Sequence, residues 1–291
     1  MHLKMLCCKI MEREISLLAA SCRNVVDITM IRQKLHDKPE NLNRFLQSEI
    51  DAVEAGTHPY SNQTEFDAIL LGYALCSHTV VGLHTSRIPL VIPRAHDCVT
   101  LLMGDRQAYM TYYMQNAGTF YYWPGAAEQM DFYDEDRYRR SYEFYLNRYH
   151  GDARKAQKAV DKEKSLFDRY GKITYIDWAS LPFPEYEEEL RRYAAGRAWA
   201  FEKLDGRDAL LRDLLDGNWS EDRFLVVRPG QTTVPSYDED VIRAIPLEEW
   251  EKHPEQYCDH TAADTQQEGN ALFGRPHFPF SFIRTFCGGI G

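Results

Sequence analysis

The chain has 291 residues, 44% hydrophobic and 27% charged, which is enough to bury the core of one large α/β domain or of two lobes. Its 34 Lys and Arg against 44 Asp and Glu give a net charge of −10, which argues against nucleic acid as a main partner, because phosphate binding wants a basic face. No apolar run approaches the roughly 18 residues of a membrane span. No signal-like stretch is present, and seven cysteines are an odd set for a disulfide framework, so the reading is a cytoplasmic protein with reduced thiols.

Leu3 to Leu6 predicts a short apolar strand, and Glu12 to Ala20 a helix. Asn24 to Thr29 reads as a second strand. Pro39 to Ala55 reads as a helix on the spacing of Leu42, Phe45, Leu46, Ile50 and Val53, with Asn41 or Asp37 to cap it. A turn at 58–62 leads to a buried strand, Phe66 to Tyr73, which Gly72 ends. Leu90 to Ile92 is the next strand. Cys98 opens a short helix with Asp97 as its N-cap. This β–α–β–α rhythm predicts a parallel sheet with crossover helices in a first lobe over residues 1–108.

An aromatic-rich segment and a second α/β lobe are expected over 109–245. Gly118 to Tyr122 reads as a strand ending at Pro124-Gly125, and Asp136 to Tyr149 and Asp152 to Tyr170 read as helices. A strand over Lys172 to Asp177 follows, then helices over Pro184 to Phe201 and Arg207 to Leu215, and a strand over Arg223 to Val227. Residues 246–291 read as an irregular tail. The fold class is α/β, with two Rossmann-like lobes, parallel sheets and a cleft between them.

Three strand ends carry thiols: Cys7-Cys8, Cys76 and Cys98. If those strands are parallel neighbours, the thiols converge on the sheet edge where open α/β folds bind ligands. Cys8 (or Cys7), Cys76 and Cys98 then offer three ligands to zinc, iron, nickel or an iron–sulfur cluster, with one position left open. His78 and His96 each lie two residues from a thiol. A cysteine at a helix N-terminus, as Cys98 is, favours thiolate, and Asp97 is placed to orient His96. The competing reading makes these cysteines small core residues.

Arg94 and Arg228 follow strands and offer bidentate contacts to an anionic substrate group, or structural ion pairs. The catalytic candidates are His96, His78 and Arg94, and the substrate-binding candidates are Arg228, Tyr73 and Tyr122. The segment Gly118 to Gly125 either lines a pocket or packs a core. No G-x-G-x-x-G follows a strand, and no P-loop, nucleophile elbow or H-E-x-x-H is present.

Leu71-Gly72-Tyr73-Ala74-Leu75-Cys76, the run Leu90 to Gly104 with Pro93-Arg94-Ala95-His96-Asp97-Cys98, and Gly118 to Gly125 together resemble DUF1638, a prokaryotic domain family of unknown function. The resemblance runs from about residue 3 to residue 235. Members occur in anaerobes and archaea, often beside corrinoid-dependent methyl-transfer systems. The resemblance therefore implies one-carbon or methyl-transfer metabolism, with a corrinoid protein or methyltransferase as partner. Cys7-Cys8 stands where the family has a cysteine after its first strand. Two functions stay open: a metal or iron–sulfur protein acting in, or accessory to, methyl transfer, and a binding module for a small molecule or corrinoid protein with inert cysteines.

Overall fold

The computed structural model describes residues 1–258 apart from 34, 36–38, 59–64, 77 and 237. Asp37, most of the turn expected at 58–62, and the chain from 259 onward lie outside the described residues.

The first sheet has the order β2-β1-β3-β4-β8. β1 (His2–Cys8), β2 (Val25–Ile31), β3 (Ala68–Gly72) and β4 (Leu90–Pro93) run parallel, and β8 (Phe224–Val227) closes the edge antiparallel to β4. β3 and β4 are buried at every position, as a sheet covered on both faces requires. α1 (Glu12–Ser21) links β1 to β2, and α2 (Pro39–Glu54) links β2 to β3. Because β2 lies on one side of β1 and β3 on the other, the chain reverses its direction of travel at β1. The point between β1 and β3 is the topological switch point, where open α/β sheets bind ligands beyond their strand ends.

The second sheet, β5-β6-β7, is parallel throughout. β5 (Thr119–Tyr122) leads through α5 (Pro124–Gln129), α6 (Glu135–Arg148) and α7 (Ala153–Phe167) to β6 (Lys172–Asp177). α8 (Pro184–Gly196) then leads to β7 (Ala200–Asp205). The helix expected over Pro184 to Phe201 therefore stops at Gly196, where Ala198 turns with φ 55° and the chain becomes a strand. Aromatic Trp199 and Phe201 resemble helix-face residues in sequence. In the structure they pack beside a strand, where Arg197 lies 4.7 Å over the Trp199 ring and Arg191 lies 4.2 Å over Phe201.

After β7 the chain returns to the first sheet. α9 (Ala209–Asp216) buries Leu210, Leu211, Leu214 and Leu215, and β8 pairs with β4. The strand over 224–227 thus belongs to the first sheet, although the 109–245 division groups it with the second. Sequence periodicity records that a strand is buried, not which sheet it joins. β9 (Gln231–Pro235) and β10 (Ile242–Pro246) form a hairpin. Residues 247–258, read as tail, form α10 (Leu247–Lys252) and α11 (Glu255–Cys258). In α10 the acidic Glu248 and Glu249 in the first turn and Lys252 in the last complement the helix dipole.

The C-terminal ends of the second sheet meet elements that follow strands of the first. Trp123, just after β5, donates its indole hydrogen to the Ile10 carbonyl at 2.8 Å. Trp178, just after β6, donates to the Leu102 carbonyl at 3.0 Å. No helix among the described residues is long and apolar enough to cross a membrane.

Candidate functional site

Cys7 and Cys8 end β1, the strand at the switch point. They point differently. Cys7 is fully buried, and its Sγ would stand 2.6 Å from a Cβ built at Gly72, so the thiol presses on the β3 backbone. Burial pushes its pKa well up. Cys8 lies within hydrogen-bonding reach of Tyr73, the first residue after β3. Burial pushes the Cys8 thiol up to about 11, against the lowering pull of the Ile10 backbone and the Tyr73 hydroxyl.

Tyr73 is buried, and its pKa is raised first by burial and then by Cys8, Cys7 and Cys76. Cys76 sits on the turn beyond it with φ 41°, and His78 follows with φ 68°. Two non-glycine residues in the left-handed region, a residue apart, are costly, and such backbone persists only where its surroundings hold it. Here Leu75 N–H and Cys76 N–H donate to the carbonyls of Ala95 and His96 at 2.9 and 3.0 Å. The loop beyond β3 is thereby laced to the loop beyond β4. Burial raises the Cys76 thiol to about 12, with Asp97 and Cys8 adding to the rise.

On the β4 side, Asp97 caps α3 (Cys98–Met103) by accepting from Thr100 N–H at 3.0 Å and from its hydroxyl at 3.1 Å. Its other oxygen, Oδ2, accepts from the Tyr109 hydroxyl at 2.6 Å. The Asp97 charge also acts on His96. Burial lowers the His96 pKa, Asp97 raises it, and Arg106 lowers it further, so the imidazole is held towards its neutral form. Cys98 is half-buried as the first residue of α3.

Tyr109 belongs to α4 (Arg106–Gln115), a helix the sequence reading left out. Its ring lies 5.8 Å from Tyr113 and 6.4 Å from Tyr121, making an aromatic wall beside the His96–Cys98 turn. The Tyr121 hydroxyl is buried without a hydrogen-bond partner.

The remaining expected site residues lie elsewhere. Arg94 donates through Nε to the Glu221 carbonyl at 2.8 Å and through Nη1 to the carbonyls of Asp240, at 3.0 Å, and Ile242. Its guanidinium is thus occupied in tying β4 to the β8 and β10 segments. Arg228 follows an antiparallel strand, and Val227 pairs with Leu90 at the start of β4, so Arg228 stands at the opposite end of the sheet from Cys98. Tyr122 is 1% exposed, stacked at 4.8 Å on Phe120, and belongs to the core of the second sheet.

The donor chemistry at the switch point suits a thiophilic metal, but the side chains are not gathered for one. Among the described residues, no three His, Cys, Asp or Glu side chains stand close enough to hold a single ion.

Glu14 was not singled out from the sequence. It lies in the first turn of α1, fully buried, and accepts from Gly125 N–H at 3.1 Å. The only signal in the sequence is spacing, which puts Glu14 on one helical face with Met11, Ile15 and Leu18, and in the structure all four are buried.

The fold and this edge define an α/β protein with two mainly parallel sheets, a separate β-hairpin and a thiol- and tyrosine-lined switch point. Residues 30–215 match the family described as protein of unknown function (DUF1638), and the chain belongs to that family. The matched span includes Cys76, His96 and Cys98 and leaves Cys7 and Cys8 outside it. No curated protein and no solved structure matches the chain.

Proposed function

We propose that the protein binds a thiophilic metal ion or an iron–sulfur cluster outside the ends of β1 and β3. Cys8, Cys76 and Cys98 are the soft donors, and His78 and His96 are the neighbouring bases. The observation that carries the reading is the pair Cys8, at the end of β1, and Cys76, on the turn beyond β3, at the two strands that flank the switch point, with the left-handed backbone at Cys76 and His78. Zinc, iron and nickel all accept such donors. The metabolic setting is one-carbon or methyl-transfer chemistry, as enzyme or accessory, with a corrinoid protein or methyltransferase as partner. Arg94, held by backbone carbonyls, and Arg228, at the far end of the sheet, are left out of this site.

The metal-free thiols hold their protons, so loading must release them. The test is metal and sulfide analysis of protein purified without oxygen, beside the Cys76→Ser and Cys98→Ser variants. Stoichiometric metal that both substitutions remove supports the reading. Full metal content in both variants, or none in the parent, overturns it.

A second reading is a binding module in which the thiols stay protonated. It is favoured by the raised thiol pKa values and by the absence of a gathered ligand set among the described residues. It predicts metal-free protein with an intact fold whose melting temperature rises with a small molecule or a corrinoid protein.

A further inference from the structure

The contact between the two sheets just behind Cys8 has an unusual oxygen-rich centre. Residues 9–11 form a single helical turn between Cys8 and α1. The Ile10 carbonyl accepts from the Trp123 indole, and Glu14 Oε1 accepts from Gly125 N–H. Glu14 Oε2 is buried with no hydrogen-bond partner. A Cβ built at Gly125 would stand 2.3 Å from Ile10 O and 2.8 Å from Glu14 Oε2, so both oxygens press on the same Cα and only glycine fits there. Two acceptors share one tight, buried contact. A hydrogen on Oε2 turns one of them into a donor.

The surrounding charges do little to favour the ionised form. Burial is the main cause that lifts the Glu14 pKa, to about 7, and Glu128 on α5 adds to the rise. The N–H groups of Glu14 and Gly125 pull it down, and Arg13 pulls less. Arg13 is engaged with Glu128, at 2.8 and 3.0 Å from its Nε, and Tyr186 donates to Glu128 at 2.8 Å. Cys7 on β1 and Tyr175 on β6 feel the Glu14 charge. On α9, Asp216 lies beside Cys22 and Arg23 at the other end of α1.

We propose that a proton on Glu14 clasps α5 onto the turn at residues 9–11, and that losing this proton loosens the contact and uncovers the edge that carries Cys8. The inference rests on the clasp and not on any metal. A buried carboxyl whose pKa is raised in the closed form stabilises that form below its ordinary pKa, and the benefit is lost as pH rises towards the closed-form value. Closure is therefore fully supported near pH 4.5, weakens on the way to pH 7, and is constant above it.

Hydrogen exchange of the full chain from pH 5 to 8, corrected for intrinsic rates, tests this. Protection of residues 9–14 and 123–129 should fall by up to about tenfold per pH unit towards pH 7 and then level off. Glu14→Gln, which keeps a donor and an acceptor in place, should stay protected at every pH. Gly125→Ala, whose Cβ breaks the contact, should exchange fast at every pH. Wild-type protection that ignores pH, or a Glu14→Gln variant that follows the wild-type curve, overturns the proposal. The wild-type curve decides even if a variant fails to fold.

Discussion

Tyr109 donates its phenolic hydrogen to Asp97 Oδ2 at 2.6 Å, and this one bond fastens α4 to the turn that presents His96 and Cys98. The same carboxylate caps α3 through Thr100, so a single side chain organises both walls of the β4 edge. Burial, then the Asp97 charge, drives the Tyr109 pKa far up, so the phenol remains a donor at any working pH.

Tyr109→Phe should therefore lose more than a neutral hydrogen bond. The carboxylate left behind is 7% exposed, and stability should drop by about 2 kcal/mol in urea unfolding. Asp97→Ala removes the cap as well and should cost about 3 kcal/mol. Asp97→Asn can still cap α3 and should fall between them. Equal stability of Tyr109→Phe and wild type would mean that the phenol does not fasten the turn.

Gly72→Ala tests the packing of Cys7. The added methyl would stand 2.6 Å from Cys7 Sγ and 2.9 Å from Met5 Cε, an overpacking that should cost about 1–3 kcal/mol. In a Cys7→Ala background the sulfur is gone, and the same substitution should cost visibly less. A strictly additive double mutant would contradict this contact.

The thiols give a pH dependence with a definite sign. Cys8 and Cys76 have folded pKa values of about 11 and about 12 against an ordinary 9.0, so the unfolded chain gives up these protons first. The stability they contribute is fully present below pH 9 and is lost as pH rises through the folded values. Urea midpoints of metal-free protein should fall between pH 8 and 10.5, and less steeply in Cys8→Ser and Cys76→Ser. At pH 8, alkylation of Cys8 should run about 100-fold slower than that of a free thiol, because the thiolate is that much scarcer. Rapid alkylation, mapped by mass spectrometry, would refute the protonated state.

Strands β3 and β4 of the first sheet were legible because they are short and wholly apolar, and the Asp97 cap was readable because it precedes an apolar run. Parallel order put the ends of β1 and β3 side by side at the switch point, where Cys8 stands. What was not legible depends on partners remote in sequence. Tyr109 lies 12 residues from Asp97, and Glu14 meets Gly125 across 111 residues. Pattern assigned Glu14 to a helix without showing that its polar end is buried. Arg228 was misplaced because pattern does not reveal that β8 runs antiparallel, which sends the residue after it to the wrong end of the sheet.

Arg94 allows a clean separation of anchoring from substrate binding. Its side chain meets the carbonyls of Glu221, Asp240 and Ile242, and its N–H donates to Arg223 O at 2.8 Å, so the residue joins β4 to the segments around β8 and β10. Hydrogen bonds from a charged group are each worth about 1.5–3 kcal/mol, towards the low end where the accepting carbonyl reaches solvent as those of Glu221 and Asp240 do, and they are not additive when they share one guanidinium. Arg94→Ala should lose about 3 kcal/mol of stability, and Arg94→Lys should recover only part of that, because an ammonium lacks the planar fork that reaches separate carbonyls. Metal or ligand bound per folded molecule should be unchanged in both variants. If Arg94→Ala instead keeps its stability and loses ligand affinity, the guanidinium must leave these carbonyls to meet a substrate, and the edge beyond β4 would join the binding site.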